Sequence, residues 1–184
     1  MKRFAASIAV AAIWAVGLTA PAFAQGKPGN LTIWQIVQNS PDHNVLEFAI
    51  DTADLEGALS DPGVRYTLFA PTDAAFEKVA DELFAAGIGD GTVLTLATFL
   101  VNNGLLDDVL LYHVTEGRRF ANSVVPRAGE KPISTLLGAS FAAKVGGLLM
   151  DASGATTDAT VTTPNITASN GVVHVIDNVL VPLN

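Results

Sequence analysis

The chain has 184 residues, of which 49% are hydrophobic and 15% charged, enough apolar material to fill one core and too much for a disordered chain. Ten Lys and Arg against 18 Asp and Glu give a formal charge of −8, which repels a nucleic-acid backbone instead of neutralising it. Zero cysteines exclude disulfides, thiol nucleophiles, iron–sulfur clusters and Cys-type zinc sites together.

Met1-Lys2-Arg3 precedes an uncharged run from Phe4 to Ala20, then Pro21 and Ala22-Phe23-Ala24, the layout of a signal peptide with a small-x-small cleavage site. The run is Ala-rich and short for a bilayer span, so residues 1–24 read as a cleaved leader rather than an anchor. Its loss takes Lys2 and Arg3 away and moves the net charge from −8 to −10. The expected product is soluble and periplasmic or secreted, with no lipid anchor, because no cysteine stands at the cleavage site. Residues 25–30 read as a flexible N-terminus and residues 31–184 as one domain.

Leu31, Trp34, Ile36-Val37, Val45-Leu46 and Phe48-Ala49-Ile50 predict two short helices broken at Ser40-Pro41. Asp61-Pro62-Gly63 is a turn, and Val64–Phe69 is β-branched and aromatic, a strand ended by Pro71. Thr72 or Asp73 then caps a helix whose apolar face is Phe76, Val79, Ala80, Leu83 and Phe84, with Gly87 as its stop. Further helices are expected over Thr92–Val101 and Leu105–Leu111, separated by Asn102-Asn103-Gly104. From Tyr112 onward, short segments rich in Val, Ile, Thr and Phe are spaced by Gly and Pro, which predicts antiparallel strands. Asn170-Gly171 is the strongest turn signal, since that pair supplies the positive φ of a two-residue hairpin loop. Helices first and strands second make the fold α+β, with the early strand returning to the sheet.

Signals for catalysis are weak. His43, His113 and His174 have no metal-ligand spacing, and neither a nucleophile elbow, a phosphate loop, a dinucleotide fingerprint nor a calcium loop is present. The carboxylates Asp51/Asp54/Glu56, Asp81-Glu82 and Asp107-Asp108 fall on or near helix ends, where such groups solvate a face; glycoside chemistry would need two of them brought across a cleft. His174 with Asp177 invites a triad reading, but residues three apart on a strand point to opposite faces, which favours a structural hydrogen bond. Tyr112-His113 joins a helix to the β half, either as a satisfied core pair or as a half-exposed aromatic and imidazole. No metal and no cofactor is expected.

Tyr66–Phe76, YTLFAPTDAAF, resembles the first motif of the fasciclin (FAS1) domain family, and Asn170–Pro182, NGVVHVIDNVLVP, resembles its second. Leu110-Leu111-Tyr112-His113-Val114 is similar to the family's tyrosine–histidine motif, and Ser134-Thr135-Leu136-Leu137-Gly138 stands where the family has Thr-Leu-x-Gly. The four occur in family order over about Leu31 to Leu183. The resemblance implies a wedge-shaped antiparallel β-sandwich of about seven strands with a helical layer, and an adhesive or matrix role outside the cell. It implies that Thr67, Pro71, Thr72, Asp73, Phe76, Asn170, Gly171, His174 and Asp177 keep the shape. It also implies that Tyr112, His113, Leu110, Leu111 and Val114 contact a partner. Two departures stand out: an added apolar stretch between Phe76 and Tyr112, and no Arg-Gly-Asp. The missing Arg-Gly-Asp and the bacterial look of the leader argue against an integrin as native partner.

The expectation is therefore a non-catalytic module, exported, that adheres to a protein or polymer at a cell surface or matrix. The alternative is a carrier of an apolar small molecule, carotenoid- or lipid-like, suggested by the apolar 93–101 stretch and by relatives that bind carotenoids. A hydrolase using His174 and Asp177 is the third reading.

Overall fold

A computed structural model describes residues 29–87, 89–151 and 157–182; the expected leader, 1–24, and residues 25–28 lie outside the described residues. The helical half holds α1 (Ile33–Gln38), α2 (Asn44–Thr52), α3 (Glu56–Ser60), strand β1 (Tyr66–Pro71), α4 (Asp73–Ala85), α5 (Val93–Asn102) and α6 (Leu106–Tyr112). Then come β2 (Val114–Glu116), α7 (Ala121–Val124), β3 (Glu130–Ser134), β4 (Ser140–Lys144), β5 (Leu148–Met150), β6 (Ala159–Ala168) and β7 (Gly171–Ile176).

Helix starts are set by side chains that take up the free N–H groups of a first turn. Thr32 and Gln35 form a reciprocal capping box on α1, at 3.2 and 3.0 Å. Thr72, rather than Asp73, caps α4 by accepting from the Ala75 N–H at 3.3 Å. Asp73 turns the other way: its carboxylate accepts from the Val45 N–H and the Asn44 amide, each at 2.8 Å, and supplies the N-terminal cap that α2 lacks. One Thr-Asp dipeptide thus starts two helices.

The seven strands run in the order β2-β1-β7-β6-β5-β4-β3. All pairs are antiparallel except β1 with β7, which is parallel in the register Tyr66↔Gly171 to Pro71↔Ile176. The sheet is therefore mixed, a correction to the all-antiparallel expectation: β1 is delivered by helices and followed by helices, so nothing obliges it to enter as a hairpin arm. In a flat sheet the four spacings from β1 to β4, roughly 4.8 Å each, would separate them by about 19 Å. The Phe69 and Phe141 rings are instead 5.1 Å apart. The sheet must fold over on itself, and β6, with its register shifts between Val161 and Ile166, is the strand where pairing is irregular.

Folding over creates two cores. One lies under the helices and gathers Ile33, Leu46, Ile50, Leu68, Phe76, Leu110 and Val173. The other lies between the two halves of the sheet and gathers Phe69, Tyr112, Ile133, Phe141, Leu149 and Ile176. β1 sends Leu68 and Ala70 to the first and Phe69 to the second, as period-two alternation demands.

The β6–β7 hairpin forms with Ser169-Asn170 as its loop, Ala168 facing Gly171. Its chemistry differs from the expectation, because neither Asn170 nor Gly171 has positive φ. Asn170 is buried and joins three elements: Oδ1 accepts from the Ile33 N–H at 2.9 Å, Nδ2 donates to the Leu59 carbonyl at 2.8 Å, and the Asn170 carbonyl accepts from Tyr66 N–H at 3.2 Å. Gly171 is required for space: a Cβ there would stand 2.1 Å from the Tyr66 carbonyl oxygen and 2.5 Å from Ile33 Cδ1. Gly171→Ala is expected to cost about 3 kcal/mol or more, at the upper end of overpacking changes. It should lower the urea midpoint without changing the slope, and a wild-type midpoint would contradict the close approach.

Candidate functional site

The stretch Leu110–Val114 crosses from α6 into β2; four of its five side chains are buried, and Leu111 is half-buried. Tyr112 and His113 are each 1% exposed. The Tyr112 ring meets Phe141 edge-on at 5.9 Å and its hydroxyl donates to the Ser140 carbonyl at 3.2 Å. His113 lies at the end of α6, where Nδ1 bonds the Val109 carbonyl at 2.7 Å and Nε2 accepts from the Leu180 N–H at 3.0 Å. Its own carbonyl accepts from Phe69 N–H at 2.9 Å. The pair ties α6 to β1, to β4 and to the C-terminal segment.

Leu110, Leu111 and Val114 face elsewhere. With Leu55, Ala58, Leu59, Tyr66 and Leu136 they line an apolar crevice between α3, β1 and α6, enclosing about 360 Å³ including its solvent-open part. Leu111 is half-buried, and Ala58 is exposed beside it. Sequence reasoning missed Leu55, Ala58, Tyr66 and Leu136. The available signal was weak: Glu56–Ser60 is too short to show helical periodicity, and the sequence assigns it no element.

The other motif residues hold backbone. Thr67 Oγ1 donates to the Gly117 carbonyl at 2.7 Å and accepts from Arg119 N–H at 2.8 Å. Pro71 ends β1, and Phe76 is buried under α4. His174 and Asp177 do not meet. His174 Nδ1 accepts from the Asn165 N–H at 3.2 Å and Nε2 bonds the Arg119 carbonyl at 2.8 Å, while Asp177 Oδ1 accepts from the Thr160 N–H at 2.5 Å. The ring also stacks on Phe69 at 5.5 Å. Among the described residues no three His, Asp or Glu side chains are placed to hold a metal, and no single helix is long and apolar enough to cross a membrane.

Comparison with known proteins places this geometry. The sequence model of the fasciclin domain matches residues 41–182. Protein sll1483 of Synechocystis is 35% identical over 152 residues, 83% of this chain and 74% of that protein. Immunogenic protein MPB70 of Mycobacterium bovis is 30% identical, over 89% of this chain and 75% of its own length. Transforming growth factor-beta-induced protein ig-h3 of Sus scrofa is 28% identical over 82% of this chain, which spans 19% of that protein. Among solved structures, a FAS1 domain pair from the insect cell adhesion molecule fasciclin I superposes with a TM-score of 0.61 at 18% identity. The match covers 82% of this chain and 51% of the pair, so the chain spans about half of it.

All three histidines are held neutral, with pKa values below the usual imidazole range. Burial is the leading cause at each; it lowers His113 to about 4 against the opposing pull of the Val109 carbonyl and of Asp151. His174 is lowered by burial against the Arg119 carbonyl, and His43 by burial against the Ala70 carbonyl, Asp73 and Asp42. In His113 and His174 one ring nitrogen accepts from a backbone N–H, so a second proton there would set donor against donor. A lowered histidine pKa means that the unfolded chain binds more protons than the folded one as pH falls below about 6.5. Stability should therefore be flat above pH 6.5 and fall below it. His113 alone contributes a loss of about 3 kcal/mol by pH 4, from about 1.4 kcal/mol per pH unit. Urea midpoints measured across that range check this, and His113→Gln should flatten the slope.

Proposed function

Because the chain belongs to the fasciclin domain family, we propose that it is an exported, non-catalytic module. It adheres to a protein or polymer at a cell surface or matrix through the apolar crevice beside Leu111. The observation that carries this reading is the split within the tyrosine–histidine motif. Leu110, Tyr112, His113 and Val114 are buried, while Leu111 is half-buried at the apolar crevice that Leu110 and Val114 also line. The five residues act as one unit, the four buried ones holding α6 in place and Leu111 making contact. The adhesive class is supported by the fold shared with a pair of domains from an insect cell adhesion molecule. Export is supported by the charge and small-residue pattern of residues 1–24. No nucleic acid belongs among the partners of so acidic a chain.

A second reading, carriage of an apolar small molecule, is favoured by the almost wholly aliphatic and aromatic lining of two crevices. One experiment separates the readings. The mature protein is mixed with envelope fragments of its source cell and the sedimenting fraction measured, alongside solvent extraction of the protein purified from that cell. Ala58→Arg, at the mouth of the crevice, is expected to reduce sedimentation about tenfold with an unchanged melting temperature. Undiminished binding by this variant would overturn the crevice assignment. A stoichiometric pigment or lipid in the extract, with no envelope binding, would transfer the function to carriage.

A further inference from the structure

The apolar stretch between Phe76 and Tyr112 folds into α5, an apolar helix with little cover. Leu96 is buried, while Leu94 is 77% and Val101 47% exposed. Leu94 and Val101 are seven residues apart and share one face. Across from Val101, Phe48 of α2 is 60% exposed, and the two side chains line one apolar crevice that is floored by Phe76 and Leu106. An exposed phenylalanine and valine flanking an apolar opening are unfavourable in water unless something covers them.

The charge around this opening is one-sided. The helices beside α5, namely α2, α4 and α6, carry eight carboxylates and one cation, Lys78, and α5 carries no charge. Residues 42–108 hold 13 acidic and 2 basic side chains, whereas residues 116–177 hold 5 of each. Among the described residues the ion pair is Lys144–Glu130, in the β half, so the helical carboxylates are not neutralised within the chain. Asp51 lies one turn beyond Phe48, and Asp107 follows Leu106 at the far end of the crevice.

We propose that the α2–α5 crevice docks a cationic amphipathic segment of a partner protein, whose apolar side chains seat on Phe48 and Val101 and whose Lys or Arg residues answer Asp51, Asp107 and Asp108. Charge complementarity selects this occupant over two others. An anionic lipid surface meets the same carboxylates and is repelled, and a second copy in a two-fold contact brings carboxylate against carboxylate. This surface is independent of the crevice beside Leu111.

The test uses the mature chain and a labelled synthetic peptide of Leu and Lys at helical spacing, with a Leu and Glu peptide as its counterpart, read by fluorescence anisotropy. The Lys peptide is expected to bind, more weakly at high salt, and about tenfold more weakly to Phe48→Ser/Val101→Ser. Phe48→Ser alone serves if the double variant loses its circular dichroism. Asp51→Asn/Asp107→Asn/Asp108→Asn should remove most of the salt dependence, and Ala58→Arg should bind the peptide like wild type. Equal binding of the Glu peptide, or wild-type binding by the Phe48 variants, would overturn the proposal. So would sedimentation with phosphatidylglycerol vesicles in place of peptide binding, or a dimer that Phe48→Ser disperses. Loss of peptide binding in Ala58→Arg would overturn the independence of the two surfaces.

Discussion

The strand β1, with five of its six residues buried, holds the rest of the molecule in place. Leu68 and Ala70 belong to the core under the helices and Phe69 to the core inside the folded sheet. Each motif attaches to this strand. Asn170 and Gly171 grip Tyr66, the segment after β2 closes on Thr67 through Gly117 and Arg119, and the His113 carbonyl accepts from Phe69 N–H. A strand between β2 and β7 has no free edge, so its backbone groups are satisfied by neighbours on both sides. Displacing β1 would therefore open both cores at once. That is why these motifs, far apart along the chain, converge here.

The convergence changes what the tyrosine–histidine motif is. From the sequence, two polar aromatic side chains at a helix–strand junction fit either a satisfied core pair or a half-exposed handle. In the fold they are the most enclosed members of their segment, and every polar atom of His113 is used. Burying an imidazole is tolerable because both ring nitrogens have partners in the neutral form, and removal of one partner would leave a buried polar atom at a cost of about 1–3 kcal/mol. Any contact role of this segment must therefore pass through Leu111, its half-buried member. The conformation of Leu111 is fixed by the anchoring of Tyr112 next to it, which means that a substitution at Tyr112 changes the crevice and the core together.

Much of the fold was legible in the sequence, for local reasons. Thr72 announces α4 because a hydroxyl before an apolar 3.6-residue period has one efficient use, and the run of Val and Ile in Gly171–Ile176 reads as a strand covered on both faces. What escaped was non-local. The parallel entry of β1 depends on where the helices deliver it, and the cap that Asp73 gives α2 spans 28 residues. Asn170-Gly171 was read as a turn with positive φ, whereas the pair is a buried junction and a point of close approach; the residue types were right and the reason was different. At the candidate site, Leu110, Leu111 and Val114 entered the sequence reading only as neighbours of Tyr112 and His113. Their crevice was invisible because α3 supplies one wall with five residues and no periodic signature. Exposure of Phe48 and Val101 was equally unreadable, since an amphipathic pattern marks the face that should be covered and not whether the chain covers it.

The two proposed surfaces share one helix. Leu106 lines the opening between α2 and α5, and Leu110 and Leu111 line the other. At 1.5 Å per residue these positions lie about 6–8 Å apart along α6. A standard interface covers about 800 Å² on each partner, which is far wider than that separation. A globular partner seated on one opening would therefore overlie the other, and a single copy would not bridge two large partners. A thin segment in the α2–α5 crevice is different, because a helix about 10 Å across leaves the mouth at Ala58 clear. The geometry thus favours one broad contact with one slender one, and bridging between two extended surfaces falls to separate copies of the domain.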